Sequence, residues 1–311
     1  MNIYFAPFHG ITNRHFRNVF FSHFHGIDAV LSPFLPAGEM NVLSKNRFAD
    51  VLPPNIEPLP LIVQIIGIKK QEITDSVKFL YEHGYKHINW NIACPMPQIV
   101  RKKRGCGFMP YSEEIEDITA SVLSNTLAKF SIKMRLGMYK NEESLSVIRR
   151  LNKYPLDFIA VHARLGVQLY SGKTNIDAFA DCFEHSLNTL CYNGDINNVD
   201  FFNSLQTVFP KLELCMLGRG MLQNPFLAEQ IRNNTLDIQT QKKRFSEFHK
   251  DLTSTYSEAY RQTRALNRLK ELWHYFAVFL NLTDSQLQNL FRINELGEFE
   301  EKTNEIIFTA I

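Results

Sequence analysis

The sequence predicts an α/β protein: a (β/α)8 TIM barrel followed by a small C-terminal all-helical domain. Three observations lead there. Short apolar runs alternate with longer amphipathic ones from Asn2 to Ile231, polar residues and glycines collect at the ends of the short runs, and strand patterning stops after Ile231. Residues 1–235 are therefore expected to form a catalytic barrel and residues 236–311 a helical unit.

Eight strand-like runs can be read in order: Ile3–Ala6, Ala29–Ser32, Leu61–Ile65, His87–Asn91, Ser131–Arg135, Phe158–His162, Thr189–Asn193 and Leu214–Gly218. Helical patterns such as Glu72–His83, Ser112–Leu127, Glu142–Asn152 and Asn198–Val208 separate them. Ser112 ahead of Glu113-Glu114, and Asn197-Asn198 ahead of an apolar pattern, are helix-start signals. Continuously apolar strands joined through helices read as parallel and buried on both faces. Eight such units in about 230 residues match the barrel, with a doubly wound open sheet as the alternative. Gly67, Gly137, Gly194, Gly218 and Gly220 stand at or just past strand ends, beside Gln64, Asn89, Asn91, Lys133, Arg135, His162, Asn193 and Asp195. In a barrel those ends build the active-site face.

Beyond Thr240 the pattern is helical. Leu266, Leu269, Trp273, Phe276 and Leu280 recur at helical spacing and form a core stripe, while Arg261, Arg264 and Arg268 share another face. Charge is uneven within a net +2: residues 242–270 carry eight Lys/Arg against three acids, and residues 271–311 carry two against seven. Arg101-Lys102-Lys103-Arg104 is a second basic cluster. Such segregation suits either solvated faces or a polyanion touching one side.

Composition sets the outer bounds. Hydrophobic residues are 45% and charged residues 21% of the 311, as in ordinary globular proteins. The longest mostly apolar run, Leu59 to Ile68, is about half the ~20 residues of a membrane helix. No basic segment followed by an apolar stretch opens the chain, so no signal peptide is expected. Five cysteines without framework or metal-type spacing point to a reducing compartment and no metal. The expectation is a cytoplasmic monomer away from membranes.

Three features carry chemistry. Asn91-Ile92-Ala93-Cys94-Pro95 leaves a strand, and a thiol turned out there by proline reads as an acid or a nucleophile. The competing reading is a small buried hydrophobe, which is kept for Cys106, Cys182, Cys191 and Cys215. Asn193-Gly194-Asp195 and Gly218-Arg219-Gly220 follow the seventh and eighth strands, the usual phosphate position of this fold. Open backbone N–H groups and one arginine suit a dianionic phosphate. Lys133 and His162 end the fifth and sixth strands. Singly, such a histidine reads as structural; together and beside a phosphate site, they suit a cofactor whose electron-rich part needs a nearby cation, such as a reduced flavin. Gln64 suits the amide-like edge of the same ring.

Taken together, Ala6-Pro7, Gln64-Ile-Ile-Gly67, Asn91-Ile-Ala-Cys94-Pro95, Lys133-Met-Arg135-Leu-Gly137, His162-Ala-Arg164, Asn193-Gly194-Asp195 and Gly218-Arg219-Gly220 resemble the dihydrouridine synthases. Arg268-Leu-Lys270-Glu-Leu-Trp273 resembles that family's C-terminal helical domain. Single motifs are shared with other flavin barrels; the Asn-x-x-Cys-Pro element joined to a helical appendage is more specific. The resemblance implies FMN-dependent reduction of a uridine to 5,6-dihydrouridine, in transfer RNA or alternatively ribosomal RNA, with NADPH as reductant. No dinucleotide-binding glycine fingerprint is present, so NADPH is expected to visit the flavin face transiently.

By the same resemblance Pro7, Phe8, Gln64, Lys133 and His162 surround the flavin ring. Asn193, Gly194, Asp195, Gly218 and Arg219 hold its ribityl chain and phosphate, and Cys94 is the general acid. Asn91, Arg135, Arg164 and Tyr170 face the base, while Lys102, Lys103, Arg104, Arg268 and Lys270 meet RNA. Phe8, Asn13 and Ala93 depart from the family's usual Met, Asp and Gly, and Arg101 to Met109 replaces a glycine-rich loop and brings Cys106 near the site. Two rival readings stand beside this one: a flavin oxidoreductase for a free pyrimidine or enone, and an RNA-binding homologue without catalysis.

Overall fold

The computed structural model describes residues 1–40, 50–51 and 59–309. Its strands are β1 (Asn2–Phe5), β2 (Ala29–Leu31), β3 (Leu35–Pro36), β4 (Leu61–Ile66), β5 (His87–Ile92), β6 (Lys129–Gly137), β7 (Ile159–Leu165), β8 (Leu190–Asn193) and β9 (Leu214–Leu217). Every pairing is parallel, and the β1–β9 and β2–β4 pairs close the sheet on itself. Closure decides against the open doubly wound sheet.

The second barrel strand comes in two pieces, a detail the sequence reading missed by ending it at Ser32. Val30 and Leu31 pair with the start of β4, and Leu35 and Pro36 with its end. Pro33 lies between them without an N–H for the ladder, so pairing stops and restarts. β6 and β7 run past their expected ends because they continue to pair through Arg135 with His162 and Gly137 with Leu165, across a register shift.

Alternation divides each strand between two cores. Ala29, Leu31, Ile62, Ala160, Cys191, Leu214 and Met216 form one apolar cluster with Ala6 and Phe158. Their alternate neighbours, such as Val30, Val63, Val161, Cys215 and Leu217, belong to the larger cluster against the helices. The inward set is apolar low in the barrel. Two residues farther along the strands it becomes Gln64, Lys133, His162 and Asn193, all buried. A period of two thus carries the polar residues onto one rim.

Around the barrel lie α1 (Arg14–His23), α2 (Lys70–Glu82), α3 (Pro97–Val100), α4 (Ser112–Asn125), α5 (Glu142–Leu151), α6 (Ile176–His185), α7 (Val199–Val208), α8 (Arg219–Gln223) and α9 (Leu227–Ile231). Asn13, Asn175 and Asn198 cap α1, α6 and α7 by accepting backbone N–H groups. Ser112 is not a cap: it is already the first helical residue, and its hydroxyl bonds Ser146 instead.

The C-terminal helices are α10 (Ile238–Ala259), α11 (Gln262–Phe279), α12 (Asp284–Arg292) and α13 (Leu296–Thr309). The expected division at 235/236 falls in the connector 232–237, and residues 310 and 311 of the expected unit lie outside the described residues. Phe248 of α10 meets Phe16, Phe20 and Phe24 edge-on, with ring centroids 5.0–6.4 Å apart. Its own neighbours Phe245 and Phe276 continue the layer. Buried Glu229 receives Arg244 at 2.7 Å, and Arg232 reaches Asp28 at 2.6 Å. Among the described residues no helix is long and apolar enough to cross a membrane.

Because Phe248 joins the two aromatic layers, Phe248→Ala should lower unfolding stability by about 3–5 kcal/mol. Urea denaturation measures this, and an unchanged midpoint would mean that the ring does not hold the helices to the barrel.

Candidate active site

The strand ends open into a cavity of about 1250 Å³. Its floor is built by adjacent strands. Gln64 Nε2 donates to Asn89 Oδ1 at 2.8 Å, Asn91 Nδ2 donates to Gln64 Oε1 at 2.7 Å, and Asn89 Nδ2 donates to Ser131 Oγ at 2.9 Å. These amides hold one another in fixed orientations, as buried polar groups must.

Asn91 Oδ1 accepts the backbone N–H groups of Ala93 (2.9 Å) and Cys94 (3.0 Å), which turns the chain at the end of β5. Cys94 lines the cavity and is partly exposed, not sealed inside. Burial raises its thiol pKa; the Met96 backbone and the charges of Arg135 and Lys133 only partly oppose this. The sulfur is therefore held as a thiol, the form that gives up a proton.

Lys133 Nζ donates to Asn193 Oδ1 at 2.9 Å, and Asn193 in turn donates to the Met216 carbonyl. Arg135 donates to the carbonyls of Ala93 and Leu165 and lies 5.4 Å from the Tyr170 ring centroid. Among the described residues neither cation meets a carboxylate. Burial first, then Arg135, lowers the Lys133 pKa to about 8, and burial lowers that of Arg135. His162, on the same wall, is driven well below its ordinary pKa by burial and by Lys133, Arg135, Arg164 and Arg219. The charged ring is disfavoured there, so the nearby cation that the Lys133 and His162 pair was expected to offer falls to Lys133.

Asp195 is a carboxylate of this rim. It takes Arg164 at 2.5 Å and Arg219 at 3.3 Å, and its backbone is left-handed at φ 52°. Gly194 has φ 133°, which other residues rarely adopt, and a Cβ there would lie 2.7 Å from the Thr174 side chain, so backbone and packing together favour glycine. Gly218 is different: a Cβ would meet only Phe8 at 3.6 Å and Ala6 at 4.0 Å, so its side stays open.

Pro7, Phe8, Gln64, Asn91, Cys94, Lys133, Arg135, His162, Tyr170, Asn193, Gly194, Asp195, Gly218, Arg219 and Arg268 all reach the cavity. Arg164 does not; it is buried behind the wall. Lys270 points away and donates to the Phe291 carbonyl. Lys102 and Lys103 are exposed on the turn after α3, and neither they nor Arg104 line the cavity. Cys106 is buried, with its sulfur 3.5 Å from that of Met138. The sequence reading missed His15, Phe34, Tyr260, Glu271 and Tyr275 as lining residues. Only the last two had a signal: Arg264, Arg268, Glu271 and Tyr275 follow one helical face.

A closed parallel barrel with a polar cavity at its strand ends defines a barrel enzyme. A family model described as "Dihydrouridine synthase (Dus)" matches residues 4–311. The chain belongs to the dihydrouridine synthase family. It is 26% identical over 242 residues to a probable tRNA-dihydrouridine synthase of Helicobacter pylori, covering 76% of this chain and 71% of that one. It is 24% identical over 227 residues to tRNA-dihydrouridine synthase B of Pasteurella multocida, covering 72% and 67%. Among solved structures it is similar in fold to a morphinone reductase variant in complex with tetrahydroNAD (TM-score 0.54, 7% identity, 76% of this chain and 88% of that one). An old yellow enzyme homologue from Zymomonas mobilis is similar at TM-score 0.53 and 9% identity, covering 76% and 89%.

Because the folded state holds Lys133 less protonated than the unfolded chain above about pH 8, its contribution to stability rises with pH up to the ordinary lysine range. Relative to Lys133→Met, the wild-type apoprotein should gain about 2 kcal/mol between roughly pH 7.5 and 9.5. Parallel denaturation curves at the two pH values measure the gain, and its absence would remove the buried charge from the floor.

Proposed function

We propose that this protein reduces a uridine of transfer RNA to 5,6-dihydrouridine, with FMN as resident cofactor and NADPH as reductant. The observation that carries the reading is a partly exposed thiol, Cys94, in one cavity with buried Lys133 and Arg135, which no carboxylate among the described residues pairs. The relatives' names point to the same substrate.

The residues present fit FMN. Lys133 and Arg135 supply buried positive charge for an anionic ring edge, Gln64 offers an oriented amide, and open Gly218 with Arg219 suits a phosphate. When bound, reduced FMN supplies the hydride that reaches carbon 6 of the uracil ring.

The chain's own residues do the rest. Stacked bases cannot reach the cavity floor, so the nucleotide must leave its stack and enter the mouth. Arg135 and Tyr170 stand against one another at the wall where a base would enter. Cys94 donates its proton to carbon 5, a role that a raised thiol pKa favours over nucleophilic attack. Arg264 and Arg268 of α11 face the same mouth, so the helical unit completes the opening.

Cys94→Ala should cut dihydrouridine formation by about 10²–10⁴-fold while FMN binding and NADPH oxidation persist. Mass spectrometry of nucleosides from the treated RNA reads the product, and undiminished formation would refute the acid role. The double variant Lys102→Ala and Lys103→Ala should raise the KM for RNA and reduce the slope of log affinity against log salt by about 1–2. An unchanged slope would place that turn outside the RNA contact.

A further inference from the structure

We propose that Arg164 is a positioning residue that sets the tautomer of His162, holding its proton on Nδ1, and ties that ring to the segment carrying Tyr170. The guanidinium is 2% exposed and its donors are all engaged. Nε donates to the Ser171 carbonyl at 3.3 Å. Nη2 donates to the Gly172 carbonyl at 2.6 Å and to Asp195 Oδ2 at 2.5 Å. Nη1 donates to Asp195 Oδ1 at 3.0 Å and lies 3.2 Å from His162 Nε2.

A guanidinium has no lone pair with which to accept. The contact with His162 therefore requires an unprotonated Nε2, and a neutral ring then carries its hydrogen on Nδ1. Residues two apart on β7 put both side chains on one strand face, which makes the contact possible. Burial and four surrounding cations independently disfavour a charged ring. Nδ1 makes no protein hydrogen bond among the described residues, and His162 lines the cavity. The wall thus offers one oriented N–H to a ligand atom that accepts, such as a carbonyl oxygen or an unprotonated ring nitrogen. Through Ser171 and Gly172 the same guanidinium fixes the backbone beside Tyr170, whose ring lies 5.4 Å from Arg135 and 5.5 Å from Arg219. One buried side chain therefore couples the cofactor wall to the substrate wall.

The inference rests on the proposed function only for the identity of the ligand, so its main test uses the apoprotein. Histidine-selective nitrogen NMR at neutral pH, with the signal assigned by its loss in His162→Asn, should show a neutral ring protonated on Nδ1. In Arg164→Met the ring should move to the other tautomer or to a mixture. A wild-type imidazolium, a wild-type ring protonated on Nε2, or an unchanged tautomer in folded Arg164→Met would overturn the proposal.

Should Arg164→Met fail to fold, two substitutions at His162 keep the question decidable. Asparagine places an amide N–H near the position of Nδ1, and glutamine near that of Nε2. In fluorescence titrations of apoprotein with FMN, His162→Asn should bind about tenfold more tightly than His162→Gln, the worth of one hydrogen bond. Equal or reversed affinities would overturn the assignment. Failure of the wild type to take up FMN would overturn the cofactor reading instead, while the ligand-free spectrum would still decide the tautomer.

Discussion

Lys133 and Arg135 occupy successive inward positions of one strand, both inside the barrel and, among the described residues, neither against a carboxylate. A buried charge without a counter-charge costs free energy unless other groups solvate it. Here backbone carbonyls and the Asn193 amide take part of that role. The rest of the rim is arranged around the same constraint. Gln64, Asn89, Asn91 and Ser131 form a neutral network that adds dipoles but no further charge, and His162 stays uncharged beside them. The positive potential that remains is a stored preference for an anionic ligand.

Charge that would spoil this preference is kept at the edge. Asp195 could cancel the floor cations if it turned inward, but Arg164 and Arg219 hold it from two sides. The left-handed backbone at Asp195, following Gly194 at φ 133°, carries the chain outward there. Arg219 is shared between Asp195 and the Tyr170 ring, so it is steered without being buried. The same logic places Glu271 on α11 at the mouth and not at the floor.

Strand positions and most floor residues were legible because they depend on local patterning: apolar runs locate strands, and a period of two decides which polar side chains face inward. What was illegible depends on direction and on approach from elsewhere. Arg164 ends the same motif as His162 but is turned into a cage of carbonyls made by its own loop. Lys270 lies two residues beyond Arg268, about 200° around a helix, so the two cannot face one mouth. His15 and Tyr260 meet at the cavity because α1 packs against α10, Phe34 reaches it from the link between β2 and β3 where it stacks on His9, and no pattern within each segment announces those meetings. The break at Pro33 was readable from its missing N–H, yet its consequence depended on β4 pairing on both sides of it.

The departures from the family pattern fall where the backbone tolerates them. Phe8 contributes its N–H to Thr12 Oγ1 at 2.8 Å, and its ring packs near Tyr275, so a different side chain keeps the same main-chain position. Asn13 caps α1 through a side-chain oxygen, which an aspartate would also supply. Ala93 has no left-handed backbone, so a methyl group costs nothing there that glycine would spare. The altered loop after Cys94 has the strictest demands. Lys103 and Gly105 are both left-handed, at φ 55° and 57°, and the chain folds back so that the Cys106 N–H reaches the Cys94 carbonyl at 3.0 Å. A Cβ at Gly105 would run into that same carbonyl oxygen. The loop expected to replace the family's glycine-rich one is thus the loop that braces the proposed acid from behind, while its lysines remain on the outer surface.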